Sequence, residues 1–403
     1  MQQQLIRQPA YDLNDRPFMI IWETTNACDL ACRHCRAQAI PNQDPLALTF
    51  TEAQQLLEQV ESFGKPRPIF IFTGGDPFKR ADLFDLVAYG QSLGLAMAVS
   101  PSGTPLLNEA NLLRLKACGA KAISLSLDGS TPERHDDFRQ VPGSFDLTTR
   151  GWQIARKIGL KLQLNTTVTR YNLEDLPEIF RLVLEYGAMT WSLFFLVPTG
   201  RGKAEDEIAP AEYEAVMHFL YDCSKYVSAK TTEGHHYKRV VLQRTILDEK
   251  GLKVEDYFKL HPIYFQLRAE LEQIVAEYNL QPREMIVRTP MHINAGNGFV
   301  FISRRGDVFP SGFMPVKVGN IREKSLVDIY REAPLFQDLR DPDKLEGRCG
   351  LCEFAGVCGG SRSRAYALSG NPLAEEPFCT YEPGSFPFQE ELAAHLNNHH
   401  GIG

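Results

Sequence analysis

Seven of the nine cysteines in this 403-residue chain fall into two tight groups. Cys28, Cys32 and Cys35 form a CxxxCxxC triplet near the start, and Cys349, Cys352, Cys358 and Cys379 gather near the end. In a reducing compartment, thiols at such spacings are metal ligands more often than disulfide partners. Three thiolates from one loop can hold three irons of a cubane and leave the fourth open to a substrate, whereas four thiolates close a cluster. The groups therefore read as one site-open 4Fe–4S cluster and one closed auxiliary 4Fe–4S cluster. Zinc is the alternative at both. At the first it needs a fourth ligand, and His34, between Cys32 and Cys35, is poorly placed to join them. At the second, unequal spacings and the CGG at Cys358 favour iron–sulfur. Cys118 and Cys223 stand apart in helix-like stretches and are expected to pack in the core.

Elements of fixed type must carry these loops. From residue 18 to about 200, short apolar runs (FMIIWETT, PIFIFTGG, LAMAVSPSG, KAISLSLDG, LKLQLNTTV, WSLFFLVP) alternate with amphipathic stretches. Each run closes near Gly, Pro, Ser, Thr or Asn, as a buried parallel strand does. TEAQQLLEQVESFG reads as a helix capped by Thr51 with Gly64 beyond its end, and LNEANLLRLKACG as one capped by Asn108 and closed by Gly119. Six βα units in series imply right-handed crossovers and a parallel sheet, either open and doubly wound or a curved partial barrel. Ligands then gather at the carboxyl ends of the strands, where the first cysteine loop lies. The expected fold class is α/β, a partial (β/α)6 TIM-like barrel with a small C-terminal hairpin/helix iron–sulfur domain. The expected division is an N-terminal extension (1–16), the barrel (17–204), a helical connecting segment that is not a seventh repeat (205–294), the auxiliary-cluster domain (295–385) and a tail (386–403). That tail, ending HLNNHHGIG, reads as a disordered terminus or an appended remnant. A net charge of -7 gives no reason to expect nucleic acid. No apolar run is long enough to span a bilayer, and MQQQLIRQPAYDLNDRP lacks a signal-peptide core, so a cytoplasmic location is expected.

The triplet after the first strand, with Thr73-Gly74-Gly75-Asp76-Pro77 after the second, resembles the radical S-adenosylmethionine (SAM) superfamily. The latter run is similar to its GGEP motif, with Asp76 where Glu is usual. The resemblance implies that Gly74, Gly75, Asp76 and Pro77 receive the methionine amino group of SAM. Ser100, Ser102 and Thr104 follow the third strand, and Ser124, Ser126, Asp128 and Gly129 end the fourth. Among these, Ser102 and Ser126 are the implied SAM contacts. The H-x-x-x-R run ends in Arg139, implied for the SAM carboxylate, since its planar fork pairs bidentately with such a group. Asn165 is implied for the ribose and Val197, before Pro198, for the adenine edge. The bland alternative for each is a turn or strand-end hydrogen bond.

The C-terminal cysteines resemble the SPASM auxiliary-cluster domain. Where two-cluster SPASM domains carry further cysteines, this chain has Ser311 and Ser361, and serine is a poor ligand, so one auxiliary cluster is implied. The run CGLCEFAGVCGGSRSRAYALSGNPLAEEPFC is similar to radical SAM enzymes that process tetrapyrrole side chains. This implies reductive cleavage of SAM to a 5′-deoxyadenosyl radical, hydrogen abstraction, and decarboxylation or side-chain removal in haem-type biosynthesis. A reducing partner such as flavodoxin or ferredoxin is implied. Arg201, Arg288, Arg304, Arg362 and Arg364 are candidate substrate contacts, each alternatively a surface or salt-bridge residue. His235 and His236 are candidate ligands to a metallated tetrapyrrole, against a plainer reading as exposed polar loop residues. The rival functions are a maturase acting on a ribosomally made peptide and a non-enzymatic iron–sulfur carrier or scaffold.

Overall fold

The computed structural model describes residues 11–283 and 293–397. Six parallel strands follow one another as the apolar runs require: β1 (Met19–Thr25), β2 (Ile69–Gly74), β3 (Ala96–Val99), β4 (Ala122–Ser126), β5 (Lys161–Val168) and β6 (Thr190–Phe195). They lie side by side in chain order. With right-handed crossovers, an unreversed order places every helix on one face and curves the sheet around the other. The partial barrel is therefore the observed alternative, and the doubly wound sheet is not. Trp22, Phe70, Phe72, Met97, Ile123 and Leu164 are fully or almost fully buried along the strands. Cys223 is buried among the helices and Cys118 packs half-buried against the same core, as expected.

Two expectations are corrected at the sheet edges. The segment after residue 205 supplies β7 (Ala229–Thr232), which pairs parallel with β6 from Trp191↔Ala229 to Phe194↔Thr232. Its run AKTT is short and polar, so hydrophobic periodicity did not reveal it. At the other edge, β8 (Phe299–Ile302) pairs parallel with β1, and β9 (Asp307–Phe309) and β10 (Gly319–Asn320) continue the sheet antiparallel. The C-terminal hairpin thus extends the barrel sheet.

Local signals were mostly legible. Asn108 caps the helix Glu109–Ala117 by accepting from the Asn111 N–H at 3.0 Å. The helix Phe50–Glu61 is capped by Thr49, not Thr51: Thr49 Oγ1 accepts from the Glu52 N–H, and the Glu52 carboxylate accepts from the Thr49 N–H at 2.8 Å. This reciprocal pair is a capping box, spelled T-x-x-E in the sequence two residues earlier than the cap expected. The tail is also corrected in part, because Gln389–Asn397 is a helix with Leu392 buried and His395 against Glu249 at 3.3 Å. The final histidine pair lies outside the described residues. Of the N-terminal extension, Leu13 and Asn14 offer carbonyls to Tyr330 and Arg340, tying it to the C-terminal module. Among the described residues no helix is long and apolar enough to cross a membrane.

Candidate metal centres

The first cysteine loop leaves β1 at the carboxyl edge of the sheet and is held from three sides. The turn after β2 comes so close that a Cβ on Gly74 would stand 2.2 Å from the Thr25 carbonyl oxygen, and one on Gly75 2.3 Å from that of Ala27. Gly74 also has φ +147, which side chains disfavour. The close approach is fixed by Gly75 N–H donating to Thr25 O and Asp76 N–H donating to Ala27 O, both at 2.7 Å. From the turn after β6, Arg201 donates to the carbonyls of Cys32 (2.9 Å) and Ala39 (3.1 Å), and its backbone N–H to Cys35 O (3.0 Å). A substrate contact was expected of Arg201, but these bonds make it a brace of the cysteine loop. From the helix Pro132–Arg139, Arg139 reaches the Cys32 sulfur at 3.4 Å.

Each of the three sulfurs faces an N–H donor. Leu30 N–H lies 3.4 Å from Cys28 Sγ and Ala39 N–H 3.5 Å from Cys35 Sγ, beside the Arg139 contact to Cys32. Such donors stabilise thiolate sulfur and tune a cluster bound through it. Buried Arg139 Nε, Arg201 Nη2 and His34 Nδ1 have no partner. An unsatisfied buried donor costs about 1–3 kcal/mol, so the pocket suits an anionic guest. Burial pushes the Cys28 thiol pKa up, yet coordination to a metal deprotonates a thiol outright. Burial lowers the His34 pKa to about 4, and its ring stacks on Phe138 at 4.6 Å, away from a ligand's role. Among the described residues no three His, Cys, Asp or Glu side chains converge as a single-ion site. A cubane asks for less convergence, because each thiolate meets its own iron.

The other expected SAM contacts surround this loop. Asp76 is fully buried and accepts from Thr104 Oγ1 (2.7 Å), Phe78 N–H (3.1 Å) and Ser102 N–H (3.5 Å). Burial raises its pKa against these donors. Pro77 opens the short 3₁₀ turn Pro77–Lys79 that Asp76 caps. Ser102 Oγ donates to Gly75 O at 2.8 Å and lies 3.6 Å from Cys28 Sγ. Ser126 and Asn165 are register partners on β4 and β5, and Asn165 Oδ1 accepts from Gln163 at 2.7 Å. Val197 is buried, its carbonyl accepting from Thr199 N–H at 2.7 Å. Arg139 is paired with Asp128, whose other oxygen accepts from Thr167 N–H at 2.7 Å. Asp128 N–H in turn donates to His135 Nδ1 at 3.2 Å, so the H-x-x-x-R run locks onto the end of β4 through both residues.

Cys349, Cys352, Cys358 and Cys379 line one cavity together with His236, Arg239, Arg348 and Glu376. Glu376 N–H lies 3.3 Å from Cys349 Sγ and Gly360 N–H 3.4 Å from Cys358 Sγ. Burial pushes the Cys352 thiol up to about 12 and the Cys358 thiol higher. Four thiols around one cavity, two facing backbone donors, fit a closed cluster. His236 is buried here, and His235 is half-buried, so neither is an exposed loop residue. They lead into the helix Tyr237–Glu249, whose residues Tyr237–Leu247 are all buried. That setting was invisible in a polar stretch read as a loop.

The serines at the expected second-cluster positions do come together. Ser311 (3.2 Å), Ser363 (2.9 Å) and Ser361 all donate to the buried Glu233 carboxylate. Three hydroxyls and a carboxylate occupy ground where further thiols would be needed. Of the remaining candidate arginines, Arg304 is spent on Glu23 and Asp44, both at 2.8 Å. Arg364 is spent on Glu207 and Glu376. Arg362 donates to the Pro372 and Ala374 carbonyls, and Arg288 lies outside the described residues. Sequence reasoning passed over Glu23, which also takes Arg36 at 2.7 Å and so ties the first cysteine loop to β1. Its polar place inside an apolar strand was the available signal.

Comparison with known proteins agrees with this geometry. The Radical SAM superfamily model matches residues 22–183, and the SPASM model, described as an iron-sulfur cluster-binding domain, matches residues 294–353. A Methanosarcina barkeri protein named AdoMet-dependent heme synthase is 38% identical over 374 residues, covering 92% of this chain and 99% of that protein. An Oleidesulfovibrio alaskensis protein of the same name is 39% identical over 373 residues, covering 92% and 88%. Among solved structures, "Native anSMEcpe with bound AdoMet" superposes with a TM-score of 0.64 at 15% identity, covering 94% of this chain and 99% of that one, a likeness of fold.

Proposed function

We infer the activity of this chain from the fact that it belongs to the radical SAM superfamily. It is a radical SAM enzyme with a SAM-binding 4Fe–4S cluster and an auxiliary iron–sulfur cluster. When bound, the first cluster and SAM supply one-electron cleavage of the sulfonium and the 5′-deoxyadenosyl radical that abstracts hydrogen from the substrate. We propose that the substrate is a tetrapyrrole and that hydrogen is taken from a carboxylate-bearing side chain, leading to decarboxylation or side-chain removal. The observation that carries this reading is 38% and 39% identity to the two heme synthases over nearly the full length of the chain. It supports a tetrapyrrole over the peptide alternative.

Within that reading the chain's own residues have definite tasks. Cys28, Cys32 and Cys35 hold the open cluster, and Cys349, Cys352, Cys358 and Cys379 the closed one. Gly74, Gly75 and Pro77 shape the turn that would receive the methionine amino group. The Asp76 carboxylate offers about four acceptor sites; three are taken, and one is left for an ammonium. Arg139, paired with Asp128 and beside Cys32, would receive the SAM carboxylate. Ser102 and Ser126 border the SAM, Asn165 serves the ribose, and Val197 keeps the adenine edge dry. We divide the chain into the radical SAM core (17–204), a segment (205–294) that adds β7 to its sheet, and the auxiliary domain (295–385), whose hairpin extends that sheet at the other edge, flanked by extension and tail. A flavodoxin- or ferredoxin-type donor in the cytoplasm supplies electrons.

The test is anaerobic incubation of the reconstituted chain with SAM, dithionite and a panel of carboxylate-bearing porphyrins, metallated and metal-free, beside peptides. Mass spectrometry should show loss of carboxyl groups from one porphyrin. Modification of a peptide with every porphyrin unchanged would overturn the substrate assignment.

A further inference from the structure

The cavity of the four C-terminal cysteines is ringed by donors that the fold leaves unspent. His236 lines it, is 1% exposed, and has no hydrogen-bond partner at either ring nitrogen. Arg239 Nη2 lies 4.0 Å from Cys379 Sγ, and its Nε is unpartnered. Arg362 Nη2 lies 3.7 Å from Cys349 Sγ, again with an unpartnered Nε. Arg239 has Glu214 as a counter-charge. Among the described residues, Arg362 has no carboxylate partner.

Uncompensated cations are expensive to bury unless an anion joins them. A cubane with four thiolates is such an anion, and one-electron reduction adds another negative charge. Cations and N–H donors at the sulfurs favour the reduced form and raise the potential. We propose that His236, Arg239 and Arg362 form a donor cage that holds the potential of the auxiliary cluster above that of the SAM-binding cluster, with His236 donating its ring N–H to a cluster sulfur. These are positioning and tuning residues, and the cage suits the auxiliary cluster to receive an electron. The inference rests on the cysteine cavity alone and is independent of the substrate.

The experiment is a redox titration followed by electron paramagnetic resonance on the full chain with both clusters loaded. Added SAM alters only the signal of the first cluster and so separates the two. In His236→Phe, the midpoint of the SAM-insensitive cluster should fall while the SAM-responsive one stays put. His236→Gln, which keeps an N–H, should stay nearer the parent value. Fully loaded variants with an unchanged auxiliary midpoint, or equal shifts in both clusters, would overturn the proposal. A second measurement needs no substitution: with 15N-histidine in the unmodified chain, the reduced auxiliary cluster should show hyperfine coupling to a histidine nitrogen. Its absence would equally refute the His236 contact.

Discussion

Replacing Asp128 with Asn leaves the Arg139 guanidinium buried beside Cys32 with no counter-charge. Breaking a buried pair from one side costs about 3–5 kcal/mol. Asp128→Asn should therefore lower the thermal midpoint clearly and weaken SAM binding, read by calorimetry and by the SAM-induced change in the cluster signal. Arg201→Leu strips donors from the Cys32 and Ala39 carbonyls, about 1–3 kcal/mol for each acceptor left dry. It should deplete iron from the first cluster and spare the auxiliary one, as iron analysis and spectroscopy would show. The thiols themselves give a pH dependence of two signs. Burial raises the Cys28, Cys352, Cys358 and Cys379 pKa values above the ordinary thiol value. In the metal-free chain the unfolded thiols ionise first, so its stability should fall as pH rises past about 9, where only the unfolded state loses protons. Cluster ligation instead releases those protons, so cluster retention against a chelator should improve as pH rises and fail as it drops.

At the scale of elements, the turn after β2 is the part least tolerant of change. Gly75→Ala drives a Cβ into the Ala27 carbonyl, whereas Gly143, at φ +82, has nothing within 4 Å of a new Cβ. Gly143→Ala should cost about 1–2 kcal/mol of backbone strain and leave SAM cleavage intact. Gly75→Ala should abolish cleavage while the auxiliary cluster still loads. The strands and most helix ends were legible because their signals are local: apolar runs, Asn108 as a cap, glycines past helix ends. The cap at Thr49 was legible too, through its partner Glu52, and was missed by two residues. What could not be read depends on long-range contact. Nothing near Ala229 announces β7, whose partner is β6, and nothing near His236 reveals that it lines the cavity of the C-terminal cysteines. The two cysteine groups were legible from spacing, and the last four do line one cavity; the bracing roles of Arg201 and Glu23 were not, because their partners lie far along the chain or on another element.

Over the whole molecule, the two cysteine modules share one sheet. Met19 through Trp22 of β1 pair with Phe299 through Ile302 of β8, and Ile20, Trp22, Val300 and Ile302 are fully buried. A chain ended at residue 294 would bare that apolar β1 edge, which invites aggregation. Such a truncation should be insoluble or oligomeric by size-exclusion chromatography, although the barrel strands and first cysteine loop are complete. The fold thereby fixes the auxiliary cavity relative to the first cysteine loop. The most direct test of the central claim is anaerobic reconstitution of the full chain followed by SAM and dithionite, with chromatographic measurement of 5′-deoxyadenosine. The account predicts 5′-deoxyadenosine from the intact chain, increased by a carboxylate-bearing tetrapyrrole, and none from Cys32→Ser. A chain loaded with about eight iron atoms that releases no 5′-deoxyadenosine under any of these conditions would contradict it.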